Sequence, residues 1–350
     1  MNFHKRRILS LTRVSLIGAV FVALIALLSP QVVSAQAAGQ GDRGHREIRP
    51  FQHVFVIMME NTGFDTLIGN PNAPWINFAA QRYGLATNYF GVTHPSQPNY
   101  IAATSGSTNG VADDNDTTIN VLNIVDQLEA HHRSWKGYME SYSLCTTKLD
   151  HACGNQLYER KHNPFISYQD VQTNPARVAN LVDFSQLATD LAANRVPDFS
   201  WISPNQCDDM HGRAGSAPDP GADPCDFSHV QGLIAAGDTF LRNTVNMIMH
   251  SRAWRGNSTI FITWDESDFT NSGPDGFGDT SGCCDANPGG GHVVSLVISH
   301  SDDDAHTSDV AYNHYSMLAT IEDSWHLGCL GFTCDTANVQ PMRDLVGRDR

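Results

Sequence analysis

Two pairs of oxygen-bearing side chains follow two apolar runs in this 350-residue chain. Glu60-Asn61 comes directly after His53-Val54-Phe55-Val56-Ile57-Met58-Met59, and Asp265-Glu266 directly after Ser258-Thr259-Ile260-Phe261-Ile262-Thr263-Trp264. A carboxylate at the end of a covered strand is costly unless it is paired or bound to a metal. One such pair alone would simply open a solvated loop; its repetition after a second core run points to a cation site. Carboxylate and amide oxygens are hard ligands, which favours one divalent ion of the magnesium, calcium or manganese type over a thiolate-bound metal.

The elements that must position these residues are legible from periodicity. Continuous apolar runs of strand length recur at His53–Met59, Ser258–Trp264 and Val293–Ile298, as expected of strands covered on both faces. Between them, Ile119–His131, Leu181–Asn194 and Val230–Ile248 carry apolar residues at three- and four-residue spacing and predict helices. Alternating covered strands and helices predict an α/β fold with a largely parallel central sheet flanked by helices. In open sheets of this kind ligands bind beyond the carboxyl ends of the strands, where both pairs would sit.

The first 35 residues read as an export signal: Lys5-Arg6-Arg7 precede an apolar Val14–Leu28 stretch, and Val33-Ser34-Ala35 fits a cleavage site. Sec export and twin-arginine export through Arg6-Arg7 both remain open. The apolar stretch is shorter than the about 20 residues a bilayer span needs, so stable membrane insertion after cleavage is not expected. Residues 36–50 are polar and Gly-rich and read as a flexible spacer, leaving 51–350 as a single domain. A formal net charge of −15 argues against nucleic acid, whose phosphates need a basic face. All eight cysteines follow the leader, and an even count in an exported chain suggests disulfides. Their spacing favours local staples, Cys145 with Cys153, Cys207 with Cys225 and Cys329 with Cys334, with Cys283 and Cys284 as an adjacent pair.

Seven segments in order then carry a family resemblance across about residues 52–327. Glu60-Asn61-Thr62-Gly63-Phe64-Asp65 resembles the Glu-Asn-x-Ser-Phe-Asp motif of the phosphoesterases that include bacterial phospholipases C and secreted acid phosphatases, with Gly63 in place of the usual Ser. His94-Pro95-Ser96-Gln97-Pro98-Asn99-Tyr100 is similar to the family's nucleophile segment. The segments at Ser134–Glu140, Lys161–Phe165, Pro204–His211, Thr263–Glu266 and His314–Glu322 resemble the others. The resemblance implies an alkaline-phosphatase-like α/β fold and metal-assisted hydrolysis of phosphate esters. Carried over by position, Glu60, Asn61, Asp265 and Glu266 would hold the metal, and Ser96 would be nucleophile and ligand. His211 and His314 match family histidines, while Lys136 and His162 stand in segments that imply substrate contact. Tyr100, where the phospholipase branch has Arg, and the short chain favour the phosphatase-like branch.

This chemistry suits these residue types. A transferred phosphoryl group gathers negative charge, which a cation and directed donors offset. Ser96 is a weak nucleophile until its pKa is lowered, Pro95 and Pro98 stiffen its surroundings, and Asn99 has an amide to donate to a phosphate oxygen. His211 is expected as leaving-group acid and His314 as phosphate ligand or second proton carrier. His292, after Gly289-Gly290-Gly291, opens a core strand beside amides suited to phosphate. Ser267–Gly291 reads as a loop bordering the pocket, its Asp residues available to a second cation. The expectation is therefore a secreted monoesterase acting on a small phosphate ester. The alternatives are a phospholipase C or other phosphodiesterase on the same fold, taking phospholipid, and a secreted calcium-binding or adhesion module.

Overall fold

A computed structural model describes residues 47–215, 222–268, 278–300 and 305–346. The leader and all of the expected spacer before Glu47 lie outside them, as does the middle of the Ser267–Gly291 stretch. The strands are β1 (Val54–Met59), β2 (Gly84–Phe90), β3 (Trp135–Met139), β4 (Ala152–Cys153), β5 (Tyr158–Glu159), β6 (Leu181–Asp183), β7 (Phe199–Ser203), β8 (Thr259–Trp264), β9 (His292–Ser299), β10 (His306–Ser308) and β11 (Tyr312–Asn313). The longer helices are interspersed with one-turn ones: α1 (Phe64–Leu67), α2 (Pro74–Arg82), α3 (Ser96–Ser105), α4 (Ile124–Ala130), α5 (Gln169–Gln172), α6 (Pro175–Val178), α7 (Ser185–Ala192), α8 (Val230–Met249) and α9 (His314–Trp325).

One sheet runs β10-β2-β9-β8-β1-β7-β3-β6, with β11 also on β2 and with β4-β5 a separate hairpin. Only the two pairs that β9 makes, with β2 and β8, are antiparallel, so the sheet is largely parallel as expected. Reversal at β9 twice over leaves β2 pointing the same way as β8 and β1. β1, β2, β7, β8 and β11 therefore all deliver their chain ends to one edge. Every residue of β1 and β8 is buried, which is why both read as unbroken apolar runs. Their register pairs Met59 with Trp264, so Glu60 and Asp265 leave adjacent strands at the same level.

Two predicted helices are shorter than their periodicity suggested. Asn123 caps α4 with its side chain and a reciprocal Asp126 contact, so the helix starts there, while Ile119 bridges to Tyr168. Leu181–Asp183 is strand β6 on β3, and helix begins only at Ser185. In both cases backbone pairing to a neighbour outweighs local apolar spacing. α8 matches its prediction, burying Leu233, Ile234, Gly237, Leu241, Val245 and Ile248. Gly237 is required there: a Cβ would lie 2.5 Å from Met210 Cγ and 3.1 Å from the Asp208 carbonyl oxygen. Among the described residues packing begins at Ile48, ahead of the expected Phe51. Ile48 joins the core, and Asn257 Nδ2 donates to the Arg49 carbonyl at 2.8 Å. The four disulfides are Cys145–Cys153, Cys207–Cys225, Cys283–Cys284 and Cys329–Cys334, as the spacing suggested.

Asp238 on α8 accepts from the Ile76 amide at 2.8 Å and the Trp75 amide at 3.2 Å, capping α2 from a distant helix. Asp238→Ala would strand those two amides and lower unfolding free energy by about 1–3 kcal/mol. Urea denaturation followed by circular dichroism measures the loss, and an unchanged midpoint would refute the cap.

Candidate active site

The nucleophile segment leaves the end of β2 and turns into α3, whose first residue is Ser96. Gly91 makes that path passable: a Cβ would come within 2.6 Å of the Asp265 carbonyl oxygen. Asn99 braces the turn. Its Oδ1 accepts from the Val92 and Thr93 amides at 2.8 and 3.0 Å, and its Nδ2 donates to the Thr93 and Pro95 carbonyls at 2.7 and 3.2 Å. With both ends of its amide committed and no exposure, Asn99 positions Ser96 and has no donor left for phosphate, contrary to the sequence expectation.

Ser96 Oγ lies 3.1 Å from Glu60 Oε2, 3.1 Å from Glu266 Oε1 and 3.4 Å from Asn61 Oδ1. One hydroxyl proton faces three oxygen acceptors. Asn61 holds its side chain there from a backbone at φ +33°, a region that Asn tolerates better than most residues. Its amide donates to Asp265 Oδ1 at 3.1 Å, while Asp265 Oδ2 is buried without a hydrogen-bond partner. Glu60, Asp265 and Glu266 are all fully buried. Burial pushes each of their pKa values up, and their mutual repulsion pushes Glu60 and Asp265 further.

This donor set fits a hard divalent cation: three carboxylates, an amide oxygen and a hydroxyl, with one carboxylate oxygen orphaned. Among the described residues, the one trio of acidic, histidine or cysteine donors drawn within 4.8 Å of one another is Cys145, Asp150 and Cys153. The three carboxylates therefore meet through Ser96 and Asn61 and do not form a closed cage.

A second ring of side chains fixes these ligands, and several of its members were not singled out from the sequence. Tyr100, one helical turn after Ser96, donates to Glu60 Oε1 at 2.6 Å. His94 pairs through Nδ1 with Glu266 Oε2 and through Nε2 with the Asp279 carbonyl at 3.0 Å. His162 stacks on the Tyr100 ring and lies 3.1 Å from Glu60 Oε1 and 3.5 Å from Asp209 Oδ2. His314 opens α9, its Nε2 on the Asp265 carbonyl at 2.6 Å and its Nδ1 on Tyr89 Oη at 3.2 Å. Both ring nitrogens are hydrogen-bonded and the residue is fully buried, so His314 holds the Asp265 backbone and has no ring nitrogen left over for a phosphate oxygen. Adjacency was the available signal for His94, two residues before Ser96. Tyr100 was signalled by its i+4 spacing from Ser96.

A cleft of about 360 Å³ is lined by Asp114, Lys161, Gln206, His211, Arg213 and Phe227 among others, and connects to the cluster through Asp114, which holds the Gln97 amide, and through His211, whose ring is 6.1 Å from that of His162. His211 Nδ1 donates to the Gly212 carbonyl at 2.6 Å, and burial with the nearby Lys161 charge lowers its pKa to about 4. With Nδ1 donating, Nε2 is the acceptor atom of the ring in its neutral form. Lys136 is elsewhere. It is the second residue of β3, in register with Ser200 and hence with Phe55, roughly 16 Å down the sheet from Glu60 at about 3.3 Å per residue. Its ammonium pairs with Asp190 at 2.5 Å. His292 stacks on Phe64 and its Nε2 meets the Thr87 carbonyl at 3.1 Å.

Residues 70–328 match the Phosphoesterase family. An acid phosphatase of Aspergillus fumigatus is 27% identical over 293 residues, covering 80% of this chain and 56% of the relative. A phosphatidylinositol-3-phosphatase of Mycobacterium tuberculosis is 27% identical over 300 residues, covering 85% of this chain and 83% of that protein. The chain thus spans little more than half the length of the fungal relative. Among solved structures, the phosphonate monoester hydrolase of Agrobacterium radiobacter superposes with a TM-score of 0.55 at 12% identity, over 86% of this chain and 78% of that one. An alkaline phosphatase superfamily protein of Vibrio parahaemolyticus gives 0.51 at 13% identity, over 81% and 67%. The fold is therefore alkaline-phosphatase-like.

Raised carboxylate pKa values make metal-free protein take up protons on folding, so its stability falls as pH rises through them. A divalent ion that displaces those protons binds more tightly as pH rises. Excess magnesium should raise the melting temperature, and by more at pH 7.5 than at pH 5. Differential scanning fluorimetry with and without chelator reads this, and a shift independent of pH would count against the cluster as the ligand set.

Proposed function

The chain belongs to the Phosphoesterase family, and on that premise we propose that it is an exported phosphatase that hydrolyses phosphate monoesters through Ser96 with one divalent cation. The observation that carries the reading is the single Ser96 hydroxyl set among Glu60, Asn61 and Glu266 oxygens at 3.1–3.4 Å. Glu60, Asn61, Asp265, Glu266 and Ser96 itself would hold the ion, magnesium, calcium or manganese by ligand type. Bound there, it would lower the serine pKa and offset phosphoryl charge.

The chain's own groups supply the rest. Ser96 stands at the first position of the ten-residue helix α3, whose positive end favours a developing negative oxygen. Its proton has acceptors at Glu60 Oε2 and Glu266 Oε1, so Oγ is free to bond phosphorus as the ester P–O bond breaks and the leaving oxygen takes a proton from solvent. Water then attacks the phosphoserine. His211, with Nε2 as its basic atom when neutral, takes the water proton and later releases it to solvent, while the P–Oγ bond breaks and Ser96 recovers its hydrogen from the carboxylate that held it. Export is supported by the pairing of all eight cysteines, which suits an oxidising compartment. The matched acid phosphatases and the phosphatidylinositol-3-phosphatase support a monoester substrate, small or carried on a lipid headgroup.

Ser96→Ala should leave p-nitrophenyl phosphate turnover at least about 1,000-fold below the native enzyme, with circular dichroism and melting temperature retained. Chelation of the native enzyme should abolish turnover and magnesium restore it. Retained activity in Ser96→Ala would overturn the serine mechanism.

A further inference from the structure

Lys161 stands in the short 3-10 turn Arg160–His162, between a residue that anchors the turn and one that packs on the cation cluster. Arg160 is buried and donates to the Thr117 and Leu149 carbonyls at 3.1 and 3.2 Å, while His162 lies against Glu60. The turn therefore fixes where Lys161 starts and leaves its long stem to reach the cleft. Its Nζ is 2.9 Å from Asp114 Oδ2, and Asp114 Oδ1 accepts from the backbone amide of Gln97, the residue after Ser96, at 2.9 Å. Asp114 thus ties the ammonium to the first turn of α3. Lys161 and His211 line the same cleft, and the His211 ring lies 6.1 Å from that of His162, which packs against Glu60. The other basic side chains there pair with carboxylates that do not line the cleft: Arg213 with Asp223 at 2.8 Å and His151 with Asp116 at 2.9 Å.

We propose that Lys161 contacts the phosphoryl oxygen directed into this cleft and thereby sets phosphate monoesters above diesters, an inference that rests on the serine phosphatase reading. A monoester dianion carries one more negative charge than a diester. A divalent cation among three carboxylates has little net charge left for both charges, so a further cation on the cleft side decides whether the dianion is held. A diester presents there a second ester group, which forfeits the ion pair and must displace the ammonium and its Asp114 partner.

The test compares p-nitrophenyl phosphate with bis-p-nitrophenyl phosphate in excess magnesium, for the native enzyme, Lys161→Met, Lys161→Arg and Ser96→Ala. Removing a charged donor to the transferred group should cost about 100-fold in monoester kcat/KM. Diester kcat/KM should fall less than about tenfold, and competitive inhibition by orthophosphate should weaken about tenfold or more, since only the dianion loses an ion pair. Lys161→Arg should keep the monoester to diester ratio within about fivefold, because the charge remains. An equal loss on both substrates, or unchanged phosphate inhibition, overturns the proposal. If Lys161→Met does not fold, the native ratio still decides: a native enzyme faster on the diester overturns it and one faster on the monoester supports it. Turnover surviving in Ser96→Ala would instead fail the serine reading, whereas a dead Ser96→Ala with no selectivity change in Lys161→Met fails this inference alone.

Discussion

Three buried carboxylates share one corner of the molecule with a single serine hydroxyl, and the surrounding structure is arranged around that concentration of like charge. Burial favours the protonated forms of Glu60, Asp265 and Glu266, and mutual repulsion adds to this for Glu60 and Asp265, so a cation among them would offset their charge. The sheet supplies the first condition for gathering them. β1 and β8 are adjacent and parallel, and their register brings Glu60 and Asp265 off the same edge together. A one-residue slip in either strand would send the acidic side chain to the other face.

Holding the carboxylates then occupies side chains that would otherwise be free for catalysis. Tyr100, His94, His162 and His314 each touch a ligand or its backbone, and Asn99 locks the loop that presents Ser96. Two of the polar groups that line the cleft are held in different states of charge. His211 is neutral because its Nδ1 is committed and burial disfavours its cation, whereas Lys161 keeps its charge because Asp114 and Glu60 stand close by.

The covalent staples sit in the segments that frame this site. Cys207–Cys225 closes the loop that carries Asp209 and His211, and the Cys283 and Cys284 carbonyls accept from Asn313, the residue that caps α9 ahead of His314. Loops at the carboxyl edge are long and polar, and the disulfides limit the conformations open to them when unfolded.

What the sequence by itself determined were the features written in neighbouring residues. The runs that became β1 and β8, the acidic pairs that end them, helix α8 and the four cysteine pairs are all local, because strand period, helix period and short loop closure act over a few residues. The tertiary structure decided which polar groups face the substrate. Lys136 and Lys161 lie in equally suggestive segments, yet strand register carries Lys136 down the sheet to Asp190 while a pinned turn sets Lys161 on the cleft wall. Asn99 and His314 have the right chemistry for phosphate, but their hydrogen bonds are taken up by Val92, Thr93 and Asp265. A donor's partner is set by packing between segments far apart in the chain, and no local pattern of residues carries that information.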